Sequence, residues 1–274
     1  MSNRVKGFSV FALLISSLLL IATSAAQTKR ARPSSEGLLE RALKGQARII
    51  DLSHRLNASV PTFGGETDAF RYEKLADIDK EGYTAGAFRA PEHFGTHLDA
   101  PGHFLASKET VDRIDVRRLI APAAVIDIRS KVKDNPDYRL TADDIRAWEK
   151  SGRIQAGAAV LLLTGWSDRW TDAKRYRNPD AGGTLHFPGF SEEAIAYLIK
   201  NASIVALGID TLSIDYGPSK DFAGHKLSHS QGLYHMENLA NLDRLPARGA
   251  VVICAPLAIE GGSGSPVRVI ALAP

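Results

Sequence analysis

The stretch His93-Phe94-Gly95-Thr96-His97-Leu98-Asp99-Ala100-Pro101-Gly102-His103 holds three of the chain's eight histidines, with an aspartate between the second and third. All four polar side chains fall on odd positions. In an extended strand alternate side chains share a face, so His93, His97, Asp99 and His103 are expected to converge. A helix would pair His93 with His97 but turn Asp99 roughly 240° away from His93. Gly95, Pro101 and Gly102 also oppose a helix, through backbone entropy and a missing N–H donor. The segment therefore reads as a strand running into a turn. Imidazoles and a carboxylate gathered this way suit a first-row metal ion.

A second histidine-rich region follows Asp210-Thr211-Leu212-Ser213-Ile214-Asp215, from His225-Lys226-Leu227-Ser228-His229 to His235-Met236-Glu237-Asn238. One ion normally recruits donors from separate segments, so two clusters in one chain reinforce each other. Among His225, His229 and His235 the spacing does not choose. Glu237, beside Met236 and before Asn238-Leu239, reads either as a partly buried carboxylate or as a helix-surface glutamate. The one cysteine, Cys254, lies in the apolar run Val251–Cys254 and reads as a small buried hydrophobe rather than a thiolate ligand.

The elements that must position these residues are legible in outline. Apolar runs at Ala123–Ile128, Ala158–Leu163, Ile204–Ile209, Val251–Ala255 and Val267–Ala271 are nearly continuous, with only Asp127 and Arg268 charged. Such runs predict strands buried on both faces. Ala47–Leu52 and Ala85–Ala90 are further strand candidates, Leu38–Lys44 is a short helical pattern, and residues 59–66 form a loop. Thr141-Ala142-Asp143-Asp144 and Ser191-Glu192-Glu193 carry helix-start signals, a capping side chain followed by acids in the first turn. Strands separated by helices predict an α/β domain with a mixed sheet and flanking helices.

The chain has 274 residues, 44% hydrophobic and 24% charged, enough for one large domain without disulfides. Arg4 and Lys6, an apolar run from Val10 to Ala22, and Ser24-Ala25-Ala26 predict a signal peptide over residues 1–26. A polar lead-in over 27–38 and one domain over 39–274 would follow. Removing two cations and no acid lowers the formal charge from +3 to +1, which gives no footprint for a nucleic-acid partner. The expected location is periplasmic or secreted, with no stable membrane insertion after processing.

The pattern His93-x-Gly95-Thr96-His97-x-Asp99-x-Pro101-x-His103 resembles the signature of the metal-dependent cyclase/hydrolase family that includes bacterial kynurenine formamidase and isatin hydrolase. Ile50-Asp51-Leu52-Ser53-His54, Leu163-Thr164-Gly165-Trp166 and residues 208–215 are similar to further family segments, so the likeness spans most of residues 48–274. The resemblance implies a single swivelling β/β/α domain and a homo-oligomer, either dimer or tetramer. It implies His93, His97, Asp99, His225 and Glu237 as ligands of one or two Zn²⁺ or Mn²⁺ ions, with Asp99 able to bridge. His103 is implied as the proton donor and acceptor. His229 and His235 match no family ligand. Phe63 stands where formamidases of the family often have a tryptophan lining the substrate pocket.

The expected activity is hydrolysis of a small amide or cyclic amide, an aryl-formamide such as N-formylkynurenine or an isatin-like compound, by metal-activated water. The enzyme class is a hydrolase of C–N bonds other than peptide bonds. Two rivals use the same residues: a cyclase or dehydratase acting on a small carbonyl compound, and an exported metal-binding protein without catalysis. An extra titrating imidazole at His103 argues against pure binding. A serine nucleophile is disfavoured, because Gly262-Ser263-Gly264-Ser265-Pro266 lacks the Gly-x-Ser-x-Gly spacing. The segment from Trp166 through Trp170 and Tyr176 to Arg177 is assigned to oligomer packing ahead of lining a pocket, His54 to a structural hydrogen bond, and His186 to a place near the pocket that its spacing does not decide.

Overall fold

A computed structural model of the protein describes residues 36–274; the expected signal peptide and residues 27–35 of the lead-in lie outside the described residues. Helix α1 (Leu38–Leu43) and strand β1 (Arg48–Asp51) come first. The hairpin β2 (Arg71–Ala76) and β3 (Ala85–Arg89) follows, with the single turn α2 (Ile78–Glu81) between its strands. Then come β4 (His97–Asp99), β5 (Ile120–Asp127), α3 (Arg129–Val132), β6 (Arg139–Leu140) and α4 (Ala142–Glu149). The chain continues through β7 (Ala159–Leu163), α5 (Ala173–Arg177), β8 (Gly189–Phe190), α6 (Glu192–Ala202) and β9 (Ala206–Ile209). It ends with α7 (Ala223–Ser230), β10 (Tyr234–Glu237), β11 (Ala250–Pro256) and β12 (Gly264–Ala273).

Seven strands close on themselves in the order β12-β11-β5-β7-β9-β10-β4, because β4 pairs with both β10 and β12. The long β12 makes the closure. One edge runs along β11; the other is shared, with Gly264–Pro266 on β4 and Ile270–Ala273 on β1. Strands β5, β7, β9 and β10 are parallel, and their connections carry the helices. The result is the mixed sheet with flanking helices that the alternation of runs predicts.

Strand alternation divides the apolar side chains into two cores. Along β7, Ala159, Leu161 and Leu163 join an interior cluster with Leu98, Met236, Val252 and Val269. Val160 and Leu162 face outward, where Ile145 of α4 and Ile195 and Leu198 of α6 cover them. Burial of such a side chain contributes roughly 1.5–3 kcal/mol, so both faces of this strand favour apolar residues. The expectation of two covered faces fails at β11 and β12. Val252, Cys254, Val269 and Ala271 point inward, but Val251, Ile253 and Ile270 are only half-buried. Among the described residues, this antiparallel end meets the six-residue α1 and the 3₁₀ turn Val116–Leu119 rather than helices as long as α4 and α6. Asp127 and Arg268 occupy exposed positions and pair with Arg129 and Asp51.

The helix starts match the expected signals. Thr141 and Asp144 form a reciprocal capping box on α4, and the Ser191 hydroxyl accepts from the Ala194 N–H at the start of α6. Strand β2 escaped prediction because Arg-Tyr-Glu-Lys-Leu-Ala has neither alternation nor an apolar run; among the described residues it pairs with β3 alone. Cys254 is buried, and burial pushes its thiol pKa up, as befits a small hydrophobe. Among the described residues no helix is long and apolar enough to cross a membrane.

Candidate metal centre and active site

The site grows from the pairing of two short strands. In β4 and β10, His97 lies opposite Glu237 and Asp99 opposite His235, while Leu98 opposite Met236 belongs to the interior core. Alternation therefore sends two histidines and two carboxylates to the other face of the sheet. All four are buried. Helix α7 adds His225, whose Nε2 lies 3.3 Å from both Asp99 Oδ2 and Glu237 Oε1. His97 Nε2 lies 3.2 Å from Asp99 Oδ1 and 3.5 Å from Glu237 Oε2.

The opening motif is not the one straight strand that its spacing predicts. Only His97–Asp99 is strand. His93 precedes a turn at Gly95 with φ +66, a backbone conformation that disfavours a side chain, and His103 ends a 3₁₀ turn, Pro101–His103. Turns, not alternation, bring these two rings to the cluster. His93 Nδ1 sits 2.6 Å from Asp99 Oδ1, and the His103 ring stacks on His93 at 3.8 Å between centroids. His103 is the most solvent-exposed histidine of the group.

His97 and His225 each have one ring nitrogen tied away from Asp99 and Glu237. His97 Nδ1 donates to Gly95 O at 2.9 Å, and His225 Nδ1 to Asp215 Oδ2 at 2.6 Å. Asp215 also accepts the Gly224 and His225 backbone N–H groups, so one carboxylate caps the start of α7 and aims its ring. Glu237 Oε1 in turn accepts from the Ile214 N–H at 2.8 Å. Such outer contacts fix the tautomer and leave a lone pair for a cation.

Electrostatics point the same way. Burial opposes ionisation of Asp99, yet His93, His97 and their neighbours hold it well below the usual carboxylate range. Burial and Asp99 both work against Glu237, while His225 and His97 bring it down to about 2. Burial alone would lower His97, but Asp99 and Glu237 raise it to about 10. His225 is likewise raised against its burial, by Asp215, Asp99 and Glu237. Among the described residues no lysine or arginine pairs with Asp99 or Glu237. Two buried carboxylates without a fixed cation are costly unless a cation joins them. In the free protein imidazolium protons serve, and a divalent ion fits the same donor set.

The geometry yields two groupings that share Asp99: Asp99, His225, His235 and Glu237, and His93, Asp99 and His103. Of the residues expected at the metal site, His93, Asp99, His225 and Glu237 fall in these groupings, and His97 lies beside them against Asp99 and Glu237. His235 is an addition that sequence spacing left undecided; it lies on a buried strand, with Nδ1 3.8 Å from Asp99 Oδ2 and Nε2 on Ser228 Oγ. His229 stacks on His235 at 4.1 Å, fully buried, with no hydrogen bond to either nitrogen. Burial lowers its pKa, so it is a neutral, apolar plate beneath the site. A register-aware pairing of His-x-Asp with His-x-Glu would have found His235, but no alignment of the two strands is visible in one sequence.

The cluster floors a pocket of about 320 Å³ walled by Pro61, Phe63, Phe104, Leu212 and Phe222, with His103 at its side. Phe63 contacts Phe222 at 6.0 Å and stands edge-on to Phe187 at 6.4 Å. A few convergent polar groups under apolar walls describe a small-molecule site. Burial lowers the His103 pKa to about 4, with Asp99 opposing, so its ring is neutral near pH 7 and carries a lone pair. Trp166 and Tyr176 are buried in the outer core, Trp170 stacks on His54, and His186 pairs with Asp137 away from the pocket.

Residues 50–216 match the family described as Cyclase. The chain is 37% identical over 261 residues to isatin hydrolase of Roseibium aggregatum, across 89% of this chain and 98% of that protein. It is 29% identical over 225 residues to kynurenine formamidase of Bacillus cytotoxicus, covering 81% and 95% respectively. Among solved structures, isatin hydrolase A from Ralstonia solanacearum aligns with TM-score 0.81 at 37% identity, over 89% of this chain and 100% of that one. An isatin hydrolase bound to the product analogue thioisatinate aligns with TM-score 0.80 at 37% identity, over 87% and 97%.

Proposed function

Because this chain belongs to the cyclase family, we propose that it is a metal-dependent hydrolase that opens the C–N bond of a small cyclic amide, an isatin-like aryl lactam before an aryl-formamide. The observation that carries this reading is the buried His97, Asp99, His225, Glu237 cluster at the floor of an aromatic-walled pocket. The near full-length likeness to isatin hydrolase supports the lactam, and the kynurenine formamidase relatives support the formamide. Phe63, in place of a tryptophan, lines that pocket and favours a flat aryl substrate beside Phe222.

His93, His97, Asp99, His225 and Glu237 would hold a zinc or manganese ion, whose Lewis acidity would act on a carbonyl and lower the pKa of a water near neutral pH. The chain's own residues do the rest. Phe63, Phe104 and Phe222 hold the aryl ring and exclude water from its faces. His103 takes the proton from the attacking water and returns it to the leaving nitrogen as the C–N bond breaks. For a lactam the products are joined, a carboxylate and an amine on one molecule.

The location, periplasmic or secreted, rests on the charge, apolar and small-residue pattern of residues 1–26. A homo-oligomer, dimer or tetramer, is part of the same reading. The β2–β3 ribbon supports it: Tyr72, Leu75 and Phe88 are 63%, 60% and 57% exposed, and a lone two-stranded hairpin is marginal in water. A second copy of this chain would bury them. The test of function is a substrate panel on metal-reconstituted protein, following loss of isatin, N-formylkynurenine and simple esters. Ring opening of the lactam is expected; a metal-loaded protein that turns over no amide or ester would sink the proposal.

A further inference from the structure

The segment Gly262-Ser263-Gly264, which has no nucleophile spacing, returns at the metal site in another capacity. Ser263 precedes β12, and Gly264 pairs with Asp99 across the seam of the barrel. A Cβ at position 264 would meet His93 Cε1 at 2.5 Å and Leu98 O at 2.6 Å. Only glycine lets this backbone lie so close to the ring. That approach carries Ser263 Oγ to 2.9 Å from His93 Nε2. The Ser263 hydroxyl donates to Glu92 Oε2 at 2.5 Å, and the Ser263 N–H donates to the same oxygen at 2.9 Å.

A hydroxyl has one proton, and Glu92 takes it. Ser263 Oγ therefore meets Nε2 as an acceptor, so the Nε2 nitrogen carries an N–H and Nδ1 is the ring nitrogen left to face the cluster. Nδ1 lies 2.6 Å from Asp99 Oδ1. Across that distance the two atoms share a proton or a metal ion. The geometry points to Glu92 and Ser263 as positioning residues that lock His93 in the Nε2–H tautomer and present Nδ1 to the metal ion. They act towards His93 as Asp215 acts towards His225 and Gly95 O towards His97, which completes the outer contacts of three ligands from three parts of the chain.

The arrangement Ser263–His93–Asp99 also has the order of a serine-hydrolase relay. Two observations set that aside. The Ser263 proton is committed to Glu92 rather than to His93, and Ser263 is not among the residues lining the pocket. A nucleophile needs both the base and the substrate.

The inference rests on the metal-dependent reading above, and the experiment separates the two. Chelator-competition titration with Mn²⁺ and Zn²⁺ is run on wild type, Ser263→Ala, Ser263→Thr and Glu92→Gln, alongside the visible spectrum of the Co²⁺-loaded forms. Ser263→Ala is expected to bind metal about 10- to 100-fold more weakly with a shifted Co²⁺ band. Ser263→Thr, which keeps the hydroxyl, should recover most of the affinity, and Glu92→Gln should fall between. Unfolding of the metal-free proteins controls for folding, and Glu92→Gln carries the test if Ser263→Ala does not fold. Wild-type affinity and spectrum in both Ser263→Ala and Glu92→Gln would overturn the positioning role alone. A wild type that binds neither ion would overturn the metal reading and this inference with it. Normal metal binding with lost turnover and a trapped acyl adduct on wild-type Ser263 would make Ser263 a nucleophile instead.

Discussion

Asp215→Asn isolates the aiming of His225 from its presence. Asp215 is nearly buried, and its two oxygens accept three donors: Gly224 N–H at 2.8 Å on Oδ1, His225 N–H at 3.1 Å and His225 Nδ1–H at 2.6 Å on Oδ2. Asparagine has the same shape but only one acceptor oxygen. If that oxygen keeps Gly224, the amide NH₂ faces His225, and the ring answers by moving its proton to Nε2. That nitrogen then points an N–H at Asp99 and Glu237 and has no lone pair for a metal. If the amide flips, Nδ1–H is kept but the Gly224 N–H loses its partner. Disturbing such an outer contact costs about 10- to 100-fold in metal affinity, or about 1.4–2.8 kcal/mol. A buried N–H left unmet costs about 1–3 kcal/mol, which for a domain of this size lowers Tm by about 2–12 °C. Chelator competition reads the first loss and thermal unfolding of the metal-free protein the second. An Asp215→Asn protein with wild-type metal affinity would refute the claim that this carboxylate sets the His225 tautomer.

Other outcomes follow from the same structure. His103→Ala should keep its metal stoichiometry and lose at least about 100-fold in kcat, the usual scale of general acid–base assistance; full activity would remove His103 from the mechanism. Metal binding at pH 7 should release the protons held by His97 and His225, both raised above their ordinary range, read by titration calorimetry in buffers of differing ionisation enthalpy; no buffer dependence would contradict the assignment. Asp210→Asn should destabilise the fold by about 1–3 kcal/mol, because Asp210 accepts from Thr164 N–H, Thr164 Oγ–H and Gly165 N–H and an amide cannot accept all three. His186 is raised by its Asp137 hydrogen bond against slight burial, so the stability it lends is complete below its unfolded pKa of about 6.5 and fades as pH rises through its folded value. His186→Gln should therefore lower Tm at about pH 5.5 and leave it unchanged at pH 9.

The sequence carries the donors more clearly than their geometry. Residue type and spacing single out His93, His97, Asp99 and His103 because metal chemistry needs those groups and few other roles cluster them. They do not reveal that Gly95 turns His93 over the strand, since φ +66 is a property of the folded loop. Continuous apolar runs place β5, β7 and β9 correctly, yet the same signal at β11 and β12 misleads, because periodicity cannot say whether a helix will cover a face. His235 becomes recognisable only through the register His97 to Glu237 and Asp99 to His235, a long-range pairing absent from local pattern. Nothing in the local spacing of Asp215, Ser263 or Glu92 marks its role. Their roles exist only once β12 and α7 bring distant segments to the rings.

Hydrolysis by this protein depends on a bound divalent metal ion. Metal analysis of the purified protein, before and after chelation and reconstitution with zinc or manganese, tests it together with turnover of the lactam. At least about one equivalent per chain is expected, with activity that falls on chelation and recovers in step with reoccupied sites. Undiminished turnover after complete removal of the metal would contradict it.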